Sequence, residues 1–158
     1  MDIARGLAGK EPASELWRVH LIESYGRMSE VFGDLGKTAS ARPNRLTALR
    51  MTEDLAKANP TNTASLRAIS VCYTKAALTS LAGLDVEKAK KWVDLGLGKA
   101  ESLARNNPGN SELQSDLAAG YDTRGDICLA LRKPDMALEE YEKSWTNHQQ
   151  LLVVWVTA

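Results

Sequence analysis

The sequence predicts an all-α protein built from three antiparallel helical hairpins, and three observations predict it. First, one set of residues recurs every 48 positions along the 158-residue chain. Second, the apolar residues within each interval follow one another at steps of three and four, which is the spacing of a helical face. Third, turn-forming residues cluster between these runs, and no alternating apolar and polar run indicates a strand.

The recurring positions hold proline, tyrosine and alanine. A period between 20 and 50 residues is typical of arrays in which each unit buries its hydrophobic face against its neighbours. We therefore predict an N-terminal segment, residues 1–11, and a single domain, residues 12–158, with repeats at 12–59, 60–107 and 108–155. The markers are Pro12, Pro60 and Pro108; Tyr25, Tyr73 and Tyr121; and Ala41, Ala89 and Ala137.

The first helix of each repeat is expected to begin near its proline, because a first-turn proline lacks only an N–H that has no helical partner. In the third copy, Ser111 and Gln114 have the spacing of a capping box, which would move the start two or three residues later. Turn residues at 33–37, 83–85 and 132–134 end these helices.

The second helix of each repeat carries its own apolar stripe, illustrated by Ala89, Val93 and Ala100. Two helices in 48 residues leave about 20 residues for each, or about 30 Å of helix. The first copy departs from this pattern at Pro43, where a proline inside a helix costs about 3 kcal/mol. Its second helix is therefore expected either to start late, near Pro43, or to be kinked.

Aligned in this register, the three copies resemble tetratricopeptide repeats. The third copy has an aromatic, a small residue, an alanine, an aromatic and a small residue at steps of 4, 12, 4 and 3. The second copy follows the same pattern, but the first has Arg45 where an aromatic or aliphatic residue belongs. The matching residues are Tyr121, Gly125, Ala137, Tyr141 and Ser144, and Tyr73, Ala77, Ala89, Val93 and Gly96.

The resemblance covers residues 12–155 and is closest to longer bacterial repeats. It implies a right-handed superhelical solenoid whose first helices line a concave groove for an extended peptide or an amphipathic helix. The expected role is a non-catalytic protein–protein interaction scaffold or adaptor, or the interaction segment of a larger signalling protein. Mapped onto this chain, the groove residues are Arg18, Glu23, Glu30, Arg67, Thr74, Leu78, Asp122 and Asp126.

The residues do not predict an enzyme, a metal site or a cofactor. His20 and His148 lie in different repeats and belong to no HExxH motif. The stretch 96–99 resembles a phosphate loop but lacks the GxxxxGK[ST] spacing. Asp122 and Asp126 share a helical face, but no signal of burial suggests that either carboxylate has the raised pKa of a general acid.

Charge and cysteine usage restrict the partners and the compartment. Twenty basic residues balance 20 acidic ones without a basic block, which argues against nucleic acid. Cys72 and Cys128 are expected to be core thiols in a reducing compartment. The longest apolar run, residues 151–156, is too short to cross a bilayer. The sequence therefore predicts a cytoplasmic protein with a protein or peptide partner and no membrane partner.

The apolar C-terminal end supports an alternative function, because solenoid ends usually carry a polar face. Three explanations stay open: the chain is cut from a longer array, it forms a homodimer through this end, or the last helix folds back on the groove. Under the self-association reading the protein is a self-assembling structural protein. The residues expected to mediate it are Trp145, Leu152 and Trp155.

Overall fold

A computed structural model describes the backbone of residues 15–58 and 62–157 and the side chains of residues 17–55, 57–58 and 62–149. The described backbone forms six α-helices and no strand, so the all-α prediction is confirmed. The helices are α1 Glu15–Asp34, α2 Thr38–Ala58, α3 Thr63–Ala82, α4 Val86–Asn106, α5 Ser111–Ala130 and α6 Pro134–Thr157.

The helix boundaries follow the same 48-residue interval as the sequence. The first helices begin at residues 15, 63 and 111 and end at 34, 82 and 130, while the second helices begin at 38, 86 and 134. All these boundaries are 48 residues apart, and each predicted turn separates two helices. The prediction of two helices per interval is therefore confirmed.

Asparagines, not the predicted capping box, start two of the first helices. Asn62 and Asn110 each accept hydrogen bonds from backbone amides two or three residues ahead, at 3.0–3.2 Å, as N-cap residues do. Helix α5 begins at Ser111, three residues after Pro108, so the later of the two predicted starts is confirmed. Its N-cap is nevertheless Asn110 and not Ser111, and the expected capping box does not form because the Gln114 side chain points elsewhere. Its Nε2 donates to the carbonyl oxygen of Ala104 at 3.2 Å, which ties the start of α5 to the end of α4.

The turn between the two helices of every hairpin contains one residue with positive φ, again at one register position. These residues are Gly36 (φ 69°), Leu84 (φ 60°) and Arg132 (φ 57°). Glycine adopts this left-handed conformation without strain, whereas a residue with a Cβ atom does not. The second and third hairpins thus keep the turn geometry of the first at a cost in backbone strain.

The expected late start of α2 is wrong. The helix begins at Thr38, and the amides of Ser40 and Ala41 both donate to the carbonyl oxygen of Lys37 at 3.0 Å. Pro43 lies inside the second turn, on the exposed side of the helix. A proline this close to the N-terminus removes only one early hydrogen bond, which the rest of the helix tolerates.

The chain divides into two compact units, Met1–Cys72 and Tyr73–Ala158, and each has its own apolar core. This division lies within α3, inside the second predicted repeat, and the single domain with repeats at 12–59, 60–107 and 108–155 stays a prediction. The core of the first unit contains Leu21, Ile22, Tyr25, Ala48 and Leu55. The core of the second contains Ala77, Ala89, Val93, Leu97, Ala100, Ala104, Leu117 and Ile127.

Small residues are buried where the helices of each hairpin approach. Ala41, Ala89 and Ala137 are all buried. In the third hairpin the reason is visible at Gly125, because a Cβ atom there would lie 2.5 Å from a ring carbon of Tyr141. A larger side chain would therefore force the two helices apart.

Within the described residues, no helix has the length and apolar character needed to cross a membrane.

Candidate functional site

The predicted groove residues differ widely in exposure. Glu23, Leu78 and Asp126 are exposed, whereas Thr74 is buried with 9% of its surface accessible. The expectation that Thr74 offers a surface to a partner is therefore corrected, because little of this residue is accessible. The remaining residues of the set are partly buried, and they are Arg18, Glu30, Arg67 and Asp122.

Glu30 and Asp126 each interact with the second helix of their own hairpin. In the third hairpin, the Tyr141 hydroxyl donates to Asp126 Oδ1 at 2.7 Å. This hydrogen bond, with burial and the negative charge of Asp126, raises the pKa of Tyr141 to about 12. In the first hairpin, Arg45 is only 7% exposed. Burial lowers the pKa of Arg45, and the nearby charge of Glu30 opposes that effect.

These two interactions occupy the same register. Residues 30 and 126 are equivalent to each other, as are residues 45 and 141, and the second hairpin has Leu78 and Val93 there. The hairpins therefore differ together at both positions: an acid with a guanidinium, two aliphatic residues, and an acid with a phenol. Arg45, which departs from the aromatic or aliphatic pattern, is matched by a change at Glu30. This joint variation is visible in the sequence when residues 30, 78 and 126 are compared together with residues 45, 93 and 141.

Two buried polar atoms beside the Glu30 and Arg45 pair lower the stability of the first hairpin. Among the described residues, Ser29 Oγ and Arg45 Nε are buried side-chain atoms without a hydrogen-bond partner. They stand at the register positions of Gly125 and Tyr141, where the third hairpin has a small residue against a ring. An unpaired buried polar atom typically costs about 1–3 kcal/mol. The first hairpin is therefore polar at a point where the other two are apolar or aromatic.

A second polar cluster, which we call the Tyr121 cluster, joins α4, α5 and α6 in the second unit. The Tyr121 hydroxyl donates to Glu101 Oε1 at 3.1 Å. Arg124 Nε and Lys143 Nζ each donate to a different oxygen of the buried Glu140 carboxylate at 2.8 Å. Both cations also lie over the Tyr121 ring, at 5.5 and 5.8 Å from its centroid.

The contacts of the Tyr121 cluster connect α4, α5 and α6 and engage its polar groups within the fold. Burial, followed by the charge of Glu101 and the hydrogen bond to it, raises the pKa of Tyr121 to about 12. Both cations share one carboxylate, so their donors are partly used within the fold. Sequence reasoning missed this cluster because it depends on residues from three helices, and only the i, i+3 spacing of Glu140 and Lys143 is a local signal.

One face of α5 combines acidic and apolar groups that are accessible to a partner. Asp122, Asp126 and Leu129 follow one another at steps of four and three, so they lie on one side of the helix. Leu129 is 51% exposed and Asp126 is exposed, while Asp122 is partly buried. We call these three residues the α5 face. In α3, Leu78 stands at the register of Asp126 and is 43% exposed.

The last helix exposes a second apolar group. Trp145 is 62% exposed, although its register equivalents Leu49 and Leu97 are buried. In the second unit, Leu97 lies directly under α5, because a Cβ atom on Gly120 would approach its Cδ2 to 2.7 Å. Trp145 thus stands at the position on α6 that α4 uses to hold the next helix. The other predicted self-association residues, Leu152 and Trp155, lie outside the side chains that the structure describes.

The cysteines are part of the packing. Cys72 and Cys128 are not joined in a disulfide. Thr52 Oγ1 donates to the carbonyl oxygen of Ala48 at 2.7 Å. Because its one hydrogen is used there, the Cys72 thiol is the donor in the 3.3 Å contact between Cys72 Sγ and Thr52 Oγ1.

In the described part of the chain, no group of three His, Cys, Asp or Glu residues is placed to hold a metal ion.

Comparison of the chain with protein-family models, with curated proteins and with solved structures finds no match. The resemblance to tetratricopeptide repeats therefore depends on the residues of this chain alone.

Proposed function

We propose that this protein is a non-catalytic interaction module that binds a peptide or helix of another protein along its first helices. In this proposal the three hairpins form a right-handed superhelix of the tetratricopeptide type. The module acts as an adaptor, or as the interaction segment of a larger signalling protein, in a bacterial cytoplasm. The observation that carries the proposal is the α5 face, where an exposed leucine lies beside an exposed carboxylate.

The chemistry of the α5 face selects a partner with both apolar and basic groups. Leu129 offers an aliphatic surface, and Leu78 offers another on α3 of the same unit. Asp122 and Asp126 add negative charge, even though Asp126 already accepts a hydrogen bond from Tyr141. Amphipathic helices bind protein surfaces through apolar anchors at helical spacing, with charges at the rim. A helix with leucines on one side and lysines beside them meets these requirements.

A direct test uses a fluorescein-labelled 18-residue helical peptide of leucine and lysine, titrated with the purified protein and followed by fluorescence anisotropy. Wild-type protein should bind it more tightly than a peptide of the same composition in scrambled order. The double variant Leu78→Ser/Leu129→Ser should weaken binding by about tenfold, the usual effect of losing one or two apolar anchors.

Leu84→Ser is the matched control, because Leu84 is 87% exposed but lies in a turn away from the α5 face. This variant should bind the peptide as wild type does. Equal affinity for the ordered and scrambled peptides would contradict the proposal, as would unchanged binding by the Leu78→Ser/Leu129→Ser variant.

A second proposal, self-assembly through α6, is favoured by a different observation. Trp145 is exposed on α6 while its equivalents on α2 and α4 are buried. An exposed tryptophan is a frequent anchor of protein interfaces. Under this proposal the chief partner is another copy of the chain, and sedimentation velocity over a range of concentrations tests it.

A further inference from the structure

The exposed side of α6 carries a regular pattern of acidic and apolar residues. Five exposed residues follow one another at steps of three and four, so they form one stripe along the helix. We call this set the α6 stripe. Its members are Asp135, Leu138, Glu142, Trp145 and Gln149.

The α6 stripe overlaps the helix-binding side of its register equivalent, α4. On α4, Leu97 lies under Gly120 of α5, and Glu101 accepts the hydroxyl of Tyr121. The equivalents of Leu97 and Glu101 on α6 are Trp145 and Gln149, and both are exposed. Trp145 and Gln149 therefore continue an interface that the fold already uses, whereas the α4 equivalents of the other three residues are exposed. The occupant that fits the end of the stripe carrying Trp145 is another helix.

The exposed side of α2 has the complementary pattern. Arg42, Leu46 and Arg50 are all exposed and follow one another at steps of four, so they form a stripe with a leucine between two guanidinium groups. We call these residues the α2 stripe. The helices also differ in charge as a whole. Helix α2 has four basic and two acidic residues, whereas α6 has four acidic residues and one basic residue.

The two stripes also match in length. Arg42 and Arg50 are eight residues apart, about 12 Å along a helix, with Leu46 midway between them. Asp135 and Glu142 are seven residues apart, about 10.5 Å, with Leu138 between them. One stripe therefore presents positive, apolar and positive groups where the other presents negative, apolar and negative groups at nearly the same spacing.

We propose that the α6 stripe of one copy of this protein docks on the α2 stripe of a second copy. Leu46 then packs against Leu138, and the arginines of α2 meet the carboxylates of α6, with Trp145 against α2 beyond one of the arginines. This inference rests on the self-assembly proposal and names its second surface. Because the two stripes differ, each copy has one free stripe after the first contact, so association continues beyond a dimer and gives a ring or an open filament. Opposite charges at the rim make it sensitive to salt.

Sedimentation velocity at 5–200 µM protein, a range of about 40-fold, tests the proposal through mutual complementation of two variants. The first is Asp135→Lys/Glu142→Lys, which reverses the α6 stripe, and the second is Arg42→Glu/Arg50→Glu, which reverses the α2 stripe. Wild type should form species larger than a monomer at low salt and lose most of them in 0.5 M NaCl. Each variant alone should be a monomer.

The mixture of the two variants identifies the contact. Each variant carries one intact and one reversed stripe, and both find a stripe of opposite charge on the other variant, so an equimolar mixture should recover species as large as those of wild type. A chain with all four substitutions should self-associate again, because both stripes have exchanged charge. Two further variants, Leu46→Ala and Leu138→Ala, leave the charge unchanged and should each weaken association. Circular dichroism verifies that all variants are helical.

The experiment distinguishes failure of the α2 assignment from failure of self-assembly itself. Self-association of Arg42→Glu/Arg50→Glu at the wild-type level would overturn the assignment of α2 while keeping self-assembly through α6. A wild-type protein that is monomeric at every concentration would overturn both. Peptide binding by Leu78 and Leu129 is independent of either result, since those residues belong to neither stripe.

Discussion

Arg45 shows how a single residue departs from a repeat pattern without disrupting the hairpin. Its equivalents are Val93 and Tyr141, and it is nearly as buried as an apolar residue would be. The change is matched across the hairpin by Glu30, whose charge opposes the effect of burial on the pKa of Arg45. Charge pairs of this kind often stabilise a protein less than apolar residues of similar size, but removing one partner is costly.

Glu30→Leu should therefore lower the free energy of unfolding by about 2–4 kcal/mol, because it leaves a buried guanidinium without its charge partner. Adding Arg45→Val, which recreates the aliphatic pair of the second hairpin, should recover most of that loss. Urea unfolding monitored by circular dichroism measures both changes. The control is Glu23→Leu at an exposed site of α1, where a change of about 0.5 kcal/mol or less is expected. A double variant no more stable than Glu30→Leu would contradict the pairing.

The positive φ of Leu84, in the turn of the second hairpin, gives a second prediction. Leu84 is 87% exposed and has φ 60°, so replacing it with glycine relieves strain without removing buried surface. The left-handed conformation costs a non-glycine residue about 1–2 kcal/mol, and glycine returns about half of this through unfolded-state entropy. Leu84→Gly should therefore raise the free energy of unfolding by about 0.5–1 kcal/mol in the same assay.

The reverse substitution at the equivalent residue serves as the control for this prediction. Gly36→Leu places a side chain at φ 69° and should be destabilising by a similar amount. Opposite signs at residues 84 and 36 would support a shared turn geometry. A stabilising Gly36→Leu substitution would show that the turns of the two hairpins differ.

Two tyrosines predict how stability depends on alkaline pH. The pKa of Tyr121 and that of Tyr141 are both about 12 in the folded protein, above the ordinary value of about 10 for a free phenol. A raised pKa in the folded protein means that the fold favours the neutral phenol. The contribution of that phenol to the free energy of unfolding is therefore complete below about pH 10. That contribution is lost as the pH rises from about 10 to about 12.

Ultraviolet absorbance at 295 nm, a tyrosinate band, follows this titration directly. Tyr141→Phe should remove one late-titrating phenol from the curve. Asp126→Asn should move the titration of Tyr141 toward pH 10, because it removes the carboxylate that accepts the phenolic hydrogen bond. A curve in which all phenols titrate near pH 10 would contradict the two hydrogen-bonded sites.

At the scale of the helices, packing gives different roles to two glycines that both lie inside helices. Gly125 faces the ring of Tyr141, and an added Cβ atom would lie 2.5 Å from it. Gly98 lies in α4 with no heavy atom within 4 Å of the position that an added Cβ atom would take. The helix propensity of alanine favours both substitutions by about 1 kcal/mol. Only at Gly125 is that gain opposed by overpacking.

Gly98→Ala should therefore stabilise the protein by about 1 kcal/mol, and Gly125→Ala should destabilise it by about 1–2 kcal/mol after the propensity gain is included. Thermal and urea unfolding of the two variants provide the comparison. Combining Gly125→Ala with Tyr141→Leu should recover part of the loss by removing the ring that causes the clash. A stabilising Gly125→Ala substitution would contradict the close approach of α5 and α6.

The sequence predicted the helices better than their first residues. The turns lie where the sequence predicted because glycine adopts turn conformations without strain, while proline and aspartate favour them locally. The start of α5 was harder, since Asn110 and Ser111 are both good N-cap residues and the choice depends on where Gln114 finds a partner. Pro43 did not delay the start of α2 as expected, because the helix begins at Thr38 and continues through the proline.

The polar contacts were less predictable, since they join residues that are distant in sequence. The Tyr121 cluster joins three helices, and no local pattern identifies Glu140 as the partner of Arg124. Thr74 was expected on a surface because it aligns with Gly26 and Asp122, yet it is buried where Asp122 is only partly covered. Position in a repeat therefore predicts the side of a helix, while the neighbouring helices determine how much of each side chain is accessible.

At the scale of the whole molecule, each of the two compact units carries a surface that we propose for a partner. The first unit carries the α2 stripe, and the second carries the α5 face and the α6 stripe. Both proposals depend on one claim, that the same helical hairpin occurs in each 48-residue interval. The alignment of Leu49, Leu97 and Trp145, and that of Glu30, Leu78 and Asp126, have meaning only if this claim holds.

The most direct test of this claim is a set of nuclear Overhauser effects measured on isotope-labelled protein. Tyr73 stacks on Trp92 with ring centroids 5.6 Å apart, and the Tyr141 ring lies against Gly125. We predict cross-peaks between the two aromatic rings, between the Tyr141 ring and the Gly125 Hα protons, and between Ala41 and the residues of α1 near Ser29. Absence of any one of these three sets from a spectrum of the folded protein would show that its hairpin is packed differently, and would contradict the claim.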